Sequence, residues 1–259
     1  MKIGIVSDIH EDGVRLQAVL RDMERRGVDA IACLGDIVGF DVLLYRYLST
    51  RNASYCIDMV RENCRWVVVG NHDLFAIRKL PDVNGFFLFP ENWYQLEFPE
   101  RKRLGREQVW LFEDHELPAL IRGRDRDYLH SLPLWLEAEL GELRILLSHA
   151  VQPDCSGSLT WRPKNHWDFQ RHFQQLKKQG CRLGISGHLH PNGMGIANER
   201  RFDFFRFRTY RIHRDLVQYI CPCTASSSSR NGYLVLDTAG MTMEAVAMKS
   251  LRYRVGGFR

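Results

Sequence analysis

The chain has 259 residues, of which 45% are hydrophobic and 26% are charged, and its net charge is +5. This balance excludes a disordered chain and a fibrous repeat, and no uncharged apolar run approaches the roughly 20 residues that cross a bilayer. The seven cysteines are irregularly spaced. This excludes a disulfide miniprotein and favours a reducing, cytoplasmic location.

The first seventy residues predict a parallel β-α-β unit. Three short apolar runs indicate buried strands, and two amphipathic stretches between them indicate helices. Strands that alternate with helices in this way are typical of a parallel sheet with right-handed crossovers. The strands are predicted at 3–7, 30–34 and 66–69, and the helices at 13–26 and 51–63.

The middle of the chain, at about 80–126, is less regular and mixes prolines with many aromatic residues. We predict that it is a helical and loop segment inserted into a single domain that spans residues 1–259. A short helix at 126–131, capped by Asp125, is expected to follow it.

The second half predicts a sheet with more antiparallel strands. Arg200 to Leu216 alternates arginine with aromatic residues, which predicts a hairpin with one buried aromatic face and one solvated basic face. The alternative is a ribbon that binds nucleic acid. The other strands are predicted at 134–140, 143–147, 182–186, 219–221, 233–236 and 243–248, with a helix at 165–178.

Polar residues of the kinds that bind metals follow five of the predicted strands. In open α/β sheets, ligands bind at this carboxyl end of the strands, so we expect these side chains to lie close together. Asp8 and His10 are two residues apart, as are His188 and His190, and in extended backbone each pair would face the same way. The five sequences are Asp8-Ile9-His10, Gly35-Asp36, Gly70-Asn71-His72-Asp73, Ser148-His149 and Gly187-His188-Leu189-His190.

Imidazole and carboxylate together suit transition metals such as manganese, iron or zinc. The potential ligands exceed what one tetrahedral zinc needs and match two ions that share a carboxylate. The predicted ligands are Asp8, His10, Asp36, Asn71, His149, His188 and His190.

This ordered set of motifs resembles the calcineurin-like metallophosphoesterase superfamily, in particular its bacterial phosphodiesterase-like branch. The resemblance implies an α/β fold, a four-layer α/β/β/α sandwich of two mixed sheets flanked by helices. It also implies two metal ions, the first bound by Asp8, His10 and His190, the second bound by Asn71, His149 and His188, with Asp36 bridging both.

The resemblance further implies phosphoester hydrolysis by a hydroxide that the two metals share, with Asn71 and His72 at the substrate phosphate. His72 would bind no metal and would act as the catalytic acid. The sequence leaves open which carboxylate orients His72, since Asp73 is its neighbour in the chain but neighbouring side chains often point apart.

One motif departs from the Ser/Thr protein phosphatases, which carry Gly-Asp-x-x-Asp-Arg-Gly. This chain reads Gly35-Asp36-Ile37-Val38-Gly39-Phe40-Asp41, without the arginine. The departure counts against a protein phosphatase and favours a small phosphodiester over a phosphomonoester as substrate. Three alternatives stay open: a nuclease that uses Arg206 and Arg208, a non-catalytic scaffold on the same fold, and a Ser/Thr-type protein phosphatase that lacks this arginine.

The remaining features have structural interpretations. Cys221 and Cys223 are expected to be buried thiols rather than a redox pair. We expect a monomer or a homodimer without membrane contact. The remaining histidines are expected on the surface or in packing, and they are His115, His130, His166, His172 and His213.

Overall fold

The computed structural model describes residues 1–141, 143–212, 215–227 and 230–249. The predictions that involve His213 and Arg214 lie outside these residues. The helices are α1 (Gly13–Arg25), α2 (Ala53–Asn63), α3 (Asn71–Ala76), α4 (Phe98–Gly105), α5 (Gly123–Ser131) and α6 (Gln170–Lys178), with 3-10 turns at Trp93–Gln95 and His166–Phe169. The strands are β1 (Lys2–Val6), β2 (Ala30–Cys33), β3 (Phe40–Asp41), β4 (Trp66–Val67), β5 (Glu116–Leu117), β6 (Trp135–Leu140), β7 (Leu143–Ser148), β8 (Leu183–Ser186), β9 (Met194–Asn198), β10 (Phe202–Phe205), β11 (Thr209–Arg211), β12 (Val217–Ile220), β13 (Gly232–Asp237) and β14 (Thr242–Ala247).

Most of these strands form two six-stranded sheets within the described residues. The first has the order β11-β14-β13-β1-β2-β4, and the second has the order β10-β9-β12-β8-β7-β6. β1, β2 and β4 run parallel to one another, as do β7, β8 and β12, whereas β13 runs antiparallel to β1. In the second sheet β6 runs antiparallel to β7. Both sheets are therefore mixed, as predicted.

The two sheets pack face to face, and helices cover their outer faces. Ile5 and Leu234 of the first sheet share one buried cluster with Leu147 and Ile185 of the second. Helices α1, α2 and α5 pack on the outer face of the first sheet, and α6 packs on that of the second. This arrangement confirms the predicted four-layer α/β/β/α sandwich.

Helix α1 shows how the sequence sets these layers. Its buried residues Leu16, Val19 and Met23 recur every three or four positions, so they form one apolar stripe against the sheet. The Asp12 side chain accepts a hydrogen bond from the Arg15 backbone N–H at 3.0 Å and caps the first turn. Gly27, with a φ of +65°, follows the last turn.

The predicted Arg/Phe hairpin is wrong. Strand β10 pairs with β9 in the second sheet, whereas β11 pairs with β14 in the first, so the segment crosses from one sheet to the other. Alternation of side chains reports which residues face inward, but it does not report the partner of a strand. Strand β9, which lies in a glycine-containing stretch, is also absent from the predicted strands.

The helix predicted at 126–131 begins earlier, at Gly123. Asp125 therefore lies inside its first turn, where its carboxylate accepts a hydrogen bond from the Arg122 backbone N–H at 2.9 Å.

The inserted segment at about 80–126 holds α4, β5 and a small buried cluster that includes Trp93 and Val109. The single-domain organisation stays a prediction. Among the described residues, no helix combines the length and the apolar character needed to cross a membrane.

His172 of α6 is a packing residue at the face of the second sheet, and it is fully buried. Its Nε2–H donates to Gln218 Oε1 at 2.8 Å, and its Nδ1 accepts from the Gln152 backbone N–H at 3.3 Å. A neutral ring satisfies both contacts, whereas protonation of Nδ1 would break the second one. Burial accordingly lowers the pKa of His172 to about 4.

This contact predicts a loss of stability in mild acid. The unfolded chain binds a proton at His172 near pH 6.5, but the folded chain does so only near pH 4, so stability falls between these values. We expect the free energy of unfolding, measured with urea in the presence of EDTA, to decrease between pH 7.5 and pH 5. The decrease should be about 2 kcal/mol larger in the wild type than in His172→Gln. The exposed His130 is the control, and His130→Gln should keep the wild-type pH dependence. An unchanged pH dependence in His172→Gln would contradict the assignment.

Candidate metal centre

The structure brings the seven predicted ligands together at one edge of the two sheets. Each follows the carboxyl end of a strand that runs parallel to its neighbour, so these strands deliver their loops to the same edge. The first sheet contributes four of them and the second sheet contributes three. Those after β1, β2 and β4 are Asp8, His10, Asp36 and Asn71, and those after β7 and β8 are His149, His188 and His190.

One group of potential ligands consists of Asp8, His10 and His190. Its ligand atoms all lie within 4.8 Å of one another. His190 Nε2 is 3.0 Å from Asp8 Oδ1, and it is 3.5 Å from His10 Nε2. These are the three residues that the resemblance assigns to the first metal.

A second group consists of Asp36, His149 and His188, again within 4.8 Å. His149 Nε2 is 3.2 Å from Asp36 Oδ2 and 3.0 Å from Asn71 Oδ1. Asp36 also forms a group with His10 and His72, so its carboxylate lies between the two sets.

Hydrogen bonds leave the inward-facing nitrogens available. His10 Nδ1–H donates to the Gly39 carbonyl oxygen at 2.9 Å, and His149 Nδ1–H donates to that of Leu34 at 2.7 Å. Metal-binding histidines are held in this way, because the outer bond fixes the tautomer and directs the other lone pair at the ion. His188 Nε2 is buried without a hydrogen-bond partner among the described residues. The donor set therefore fits a transition-metal ion.

The protonation states of four of the predicted ligands suit metal binding. Burial would raise the pKa values of Asp8 and Asp36, but nearby histidines, His190 for Asp8 and His149 for Asp36, hold both well below the ordinary range. Burial lowers the pKa values of His10 and His188 to about 3. The carboxylates are thus ionised and these two imidazoles are neutral, which are the metal-binding forms.

The balancing protons lie on the other two histidines. Burial lowers the pKa of His149, but Asp36 more than offsets this and raises it to about 9. The pKa of His190 is raised well above its usual value, with Cys223 and Asp8 overcoming the effect of burial. A cation that bound here would replace these protons.

The expectation that the paired ligands lie on extended backbone is wrong. Asp8 and His10 have φ values of 56° and 47°, and His188 and His190 have 66° and 47°. Left-handed backbone is uncommon outside glycine and costs on the order of 1 kcal/mol per residue. A hydrogen bond between the loops after β1 and β2 stabilises this left-handed backbone. The backbone N–H of His10 donates to the Asp36 carbonyl oxygen at 3.0 Å.

Asp73 stabilises the loops and does not orient His72. Its carboxylate accepts backbone N–H bonds from Gly70, Ile37 and Val38 at 3.0, 2.9 and 3.0 Å. It therefore joins the loop after β2 to the start of α3. Gly35 completes this contact with a φ of +88°, because a Cβ there would lie 2.5 Å from the Gly70 nitrogen.

The carboxylate that contacts His72 belongs to Glu116, in β5 of the inserted segment. His72 Nδ1 hydrogen-bonds to Glu116 Oε2, which leaves Nε2 on the side of Asp36 at 4.0 Å from Oδ2. Burial lowers the pKa of His72, but Glu116 and Asp36 outweigh it and raise the value to about 9. Sequence reasoning missed Glu116, because nothing marks one acidic residue of an irregular insert.

Gly39 makes room for the His72 side chain beside Glu116. It stands where the protein-phosphatase motif has its second aspartate, and its φ is +96°. A Cβ at this position would lie 2.6–2.7 Å from the Cβ, Cγ and Nδ1 of His72. A side chain at residue 39 would therefore displace His72, and the glycine leaves Glu116 free to reach it.

A cleft of about 330 Å³ opens over these groups. Aromatic and aliphatic side chains from the insert and from the loop after β3 line its walls. Arg162 lies at its edge, where the guanidinium carbon is 5.5 Å from the centroid of the Trp110 ring. His115, predicted as a surface or packing residue, also lines the cleft. Further lining residues that sequence reasoning missed are Leu44, Tyr45, Trp110, Leu111, Phe112 and Leu189.

Cys221 and Cys223 are free, buried thiols, as expected. The Cys221 thiol donates to the Ile5 carbonyl oxygen at 3.5 Å, and the Cys223 thiol donates to that of Asp8 at 3.1 Å. Cys221 thus packs on strand β1, and Cys223 packs on the loop after it, which carries the predicted ligands Asp8 and His10.

Residues 1–192 match the family model for calcineurin-like phosphoesterases. The chain belongs to this family. An uncharacterized protein of Methanocaldococcus jannaschii is 30% identical to this calcineurin-like phosphoesterase over 155 residues, which cover 57% of the chain and 49% of the relative. The chain thus spans about half the length of the curated relative that it matches.

Solved structures agree on the fold of the calcineurin-like phosphoesterase. A metallophosphoesterase from Sphaerobacter thermophilus has a TM-score of 0.63 at 20% identity, covering 96% of this chain and 89% of that one. A hypothetical protein from Pyrococcus horikoshii has a TM-score of 0.59 at 13% identity, covering 98% and 88%. At these identities the likeness is one of fold.

The contact between His72 and Glu116 predicts the effect of neutralising the carboxylate. In metal-free protein, Glu116→Gln should move the pKa of His72 from about 9 toward 6.5, because an amide cannot stabilise the imidazolium by charge. Asp36 keeps the value from falling the whole way. An NMR titration that follows the His72 imidazole signals measures this pKa. Asp114→Asn, at an exposed position in the turn before β5, is the control. Equal pKa values in wild type and Glu116→Gln would contradict the pairing.

Proposed function

We propose that this calcineurin-like phosphoesterase is a metal-dependent enzyme that hydrolyses a small phosphodiester. The observation that carries the proposal is that the Asp36 carboxylate lies within 4.8 Å of ligand atoms from both sets, with His149 and His188 in one group and with His10 and His72 in another. The first ion would be held by Asp8, His10 and His190, and the second by Asn71, His149 and His188, with Asp36 between them.

Two ions at this centre, manganese, iron or zinc by the donor set, would activate water and neutralise phosphate charge. The chain supplies the proton. In the metal-free chain Glu116 and Asp36 raise the pKa of His72 to about 9, its Nδ1 is bound to Glu116, and its Nε2–H would be left to donate to the leaving oxygen. The Phe112 ring, 4.4 Å away between centroids, packs against His72 and limits water around it.

The cleft walls support a diester substrate. Arg162 is the one lysine or arginine among the described cleft-lining residues, and apart from His72 and the predicted ligands most of the other lining residues are aliphatic or aromatic. A diester carries one negative charge on its phosphate, whereas a monoester carries close to two near neutral pH. A wall with so few cations compensates one charge better than two.

The proposal predicts turnover of a chromogenic diester. Bis(p-nitrophenyl) phosphate should give a kcat/KM at least tenfold above that of p-nitrophenyl phosphate, with manganese, zinc and iron supplied in turn. EDTA should abolish both activities, and metal should restore them. A tenfold preference for the monoester would overturn the diester assignment. Inertness on every ester at full metal content would instead support a scaffold.

His72→Ala tests the proton donor separately from the metals. Loss of a general acid should lower kcat by about 10²–10⁴-fold, while metal content measured by mass spectrometry stays at the wild-type level. The exposed His130 is the matched control, and His130→Ala should retain full activity. Loss of bound metal in His72→Ala would mean that His72 is a ligand, contrary to the proposal.

A further inference from the structure

Tyr45 carries a buried hydroxyl group without a partner. The residue is 3% exposed, and its hydroxyl oxygen has no hydrogen-bond partner among the described residues. Buried polar groups are nearly always paired, so a hydroxyl that packing alone does not require calls for another explanation. Phenylalanine would fill the same space without this cost.

Its neighbour Tyr47 provides the contrast. Tyr47 is similarly buried, at 8% exposure, but its hydroxyl donates to the His10 carbonyl oxygen at 2.9 Å. The two rings belong to one cluster, with centroids 5.5 Å apart, and Phe40 packs against both. One hydroxyl of this cluster therefore supports the fold, and the other does not.

The position of Tyr45 indicates what its hydroxyl contacts. The residue lines the cleft over the metal-ligand groups, and its ring lies 4.9 Å from that of His10. Its backbone is in the loop after β3, and the same cleft is lined by Asp36 and His190. Tyr45 thus combines an unpartnered hydroxyl with a position in the wall of this cleft beside His10.

We propose that the Tyr45 hydroxyl donates a hydrogen bond to a phosphoryl oxygen of the bound substrate, a contact that rests on the proposed phosphoesterase function. His72 would then donate on the leaving-group side, and Tyr45 would donate on the side of His10. A neutral donor binds a phosphate oxygen without adding charge, which suits a singly charged diester. The backbone holds the ring in place through the Tyr45 N–H, which donates to the Asp41 carbonyl oxygen at 2.9 Å.

The test compares Tyr45→Phe with Tyr47→Phe, since each removes one oxygen from the same cluster. Tyr45→Phe should unfold at the same or a higher temperature than wild type, because no hydrogen bond is lost. It should keep its metal content, lower kcat/KM for bis(p-nitrophenyl) phosphate by about 100-fold, and weaken binding of inorganic phosphate about tenfold by calorimetry. Tyr47→Phe should unfold at a lower temperature, because its hydrogen bond to His10 is removed.

Two results would overturn the assignment. A fall in unfolding temperature for Tyr45→Phe as large as that for Tyr47→Phe would mean that the hydroxyl has a structural partner. Unchanged phosphate affinity and unchanged kcat/KM would mean that it does not touch the substrate.

Phosphate binding separates this inference from the proposed function. If metal-loaded wild type binds phosphate but hydrolyses no ester, the phosphoesterase proposal fails, while the comparison of phosphate affinities still decides the role of Tyr45. If metal-loaded wild type binds no phosphate, both proposals fail together.

Discussion

The site depends on one constraint, the shared direction of the strands that precede the predicted ligands. β1, β2 and β4 in one sheet, and β7 and β8 in the other, end at the same edge, and the core between the sheets holds these ends together. Neither half of the chain could bring both sets of ligands together alone. The apolar contact of Ile5 and Leu234 with Leu147 and Ile185 is therefore as necessary to the site as the ligands.

The loops at this edge are strained and charged, and the surrounding structure compensates for both. Asp8, His10, Asp36, His188 and His190 all have left-handed backbone. The carboxylate of Asp73 joins the loops, and protons on His149 and His190 balance the buried aspartates. The region is less stable than an apolar end of a sandwich would be, which is the usual relation between a functional site and its fold.

Periodicity and short polar motifs predict most strands and the ligand set, because these are local properties, whereas the four layers follow from the family resemblance. Asp8 and His188 could be identified from the strands that precede them. Glu116 and Tyr45 could not, because their roles depend on where an irregular segment and a turn lie in space. The partner of β10 and the left-handed φ of His10 are likewise set by tertiary contacts rather than by local composition.

The inserted segment contacts His72 through Glu116 and lines the cleft with Trp110, Leu111, Phe112 and His115. It contributes no strand to either six-stranded sheet and none of the seven predicted ligands. Sequence drift in this one segment could thus alter the surroundings of His72 and the shape of the cleft wall without changing any predicted metal ligand. The architecture lets the walls of the cleft evolve separately from the ligand set at its floor.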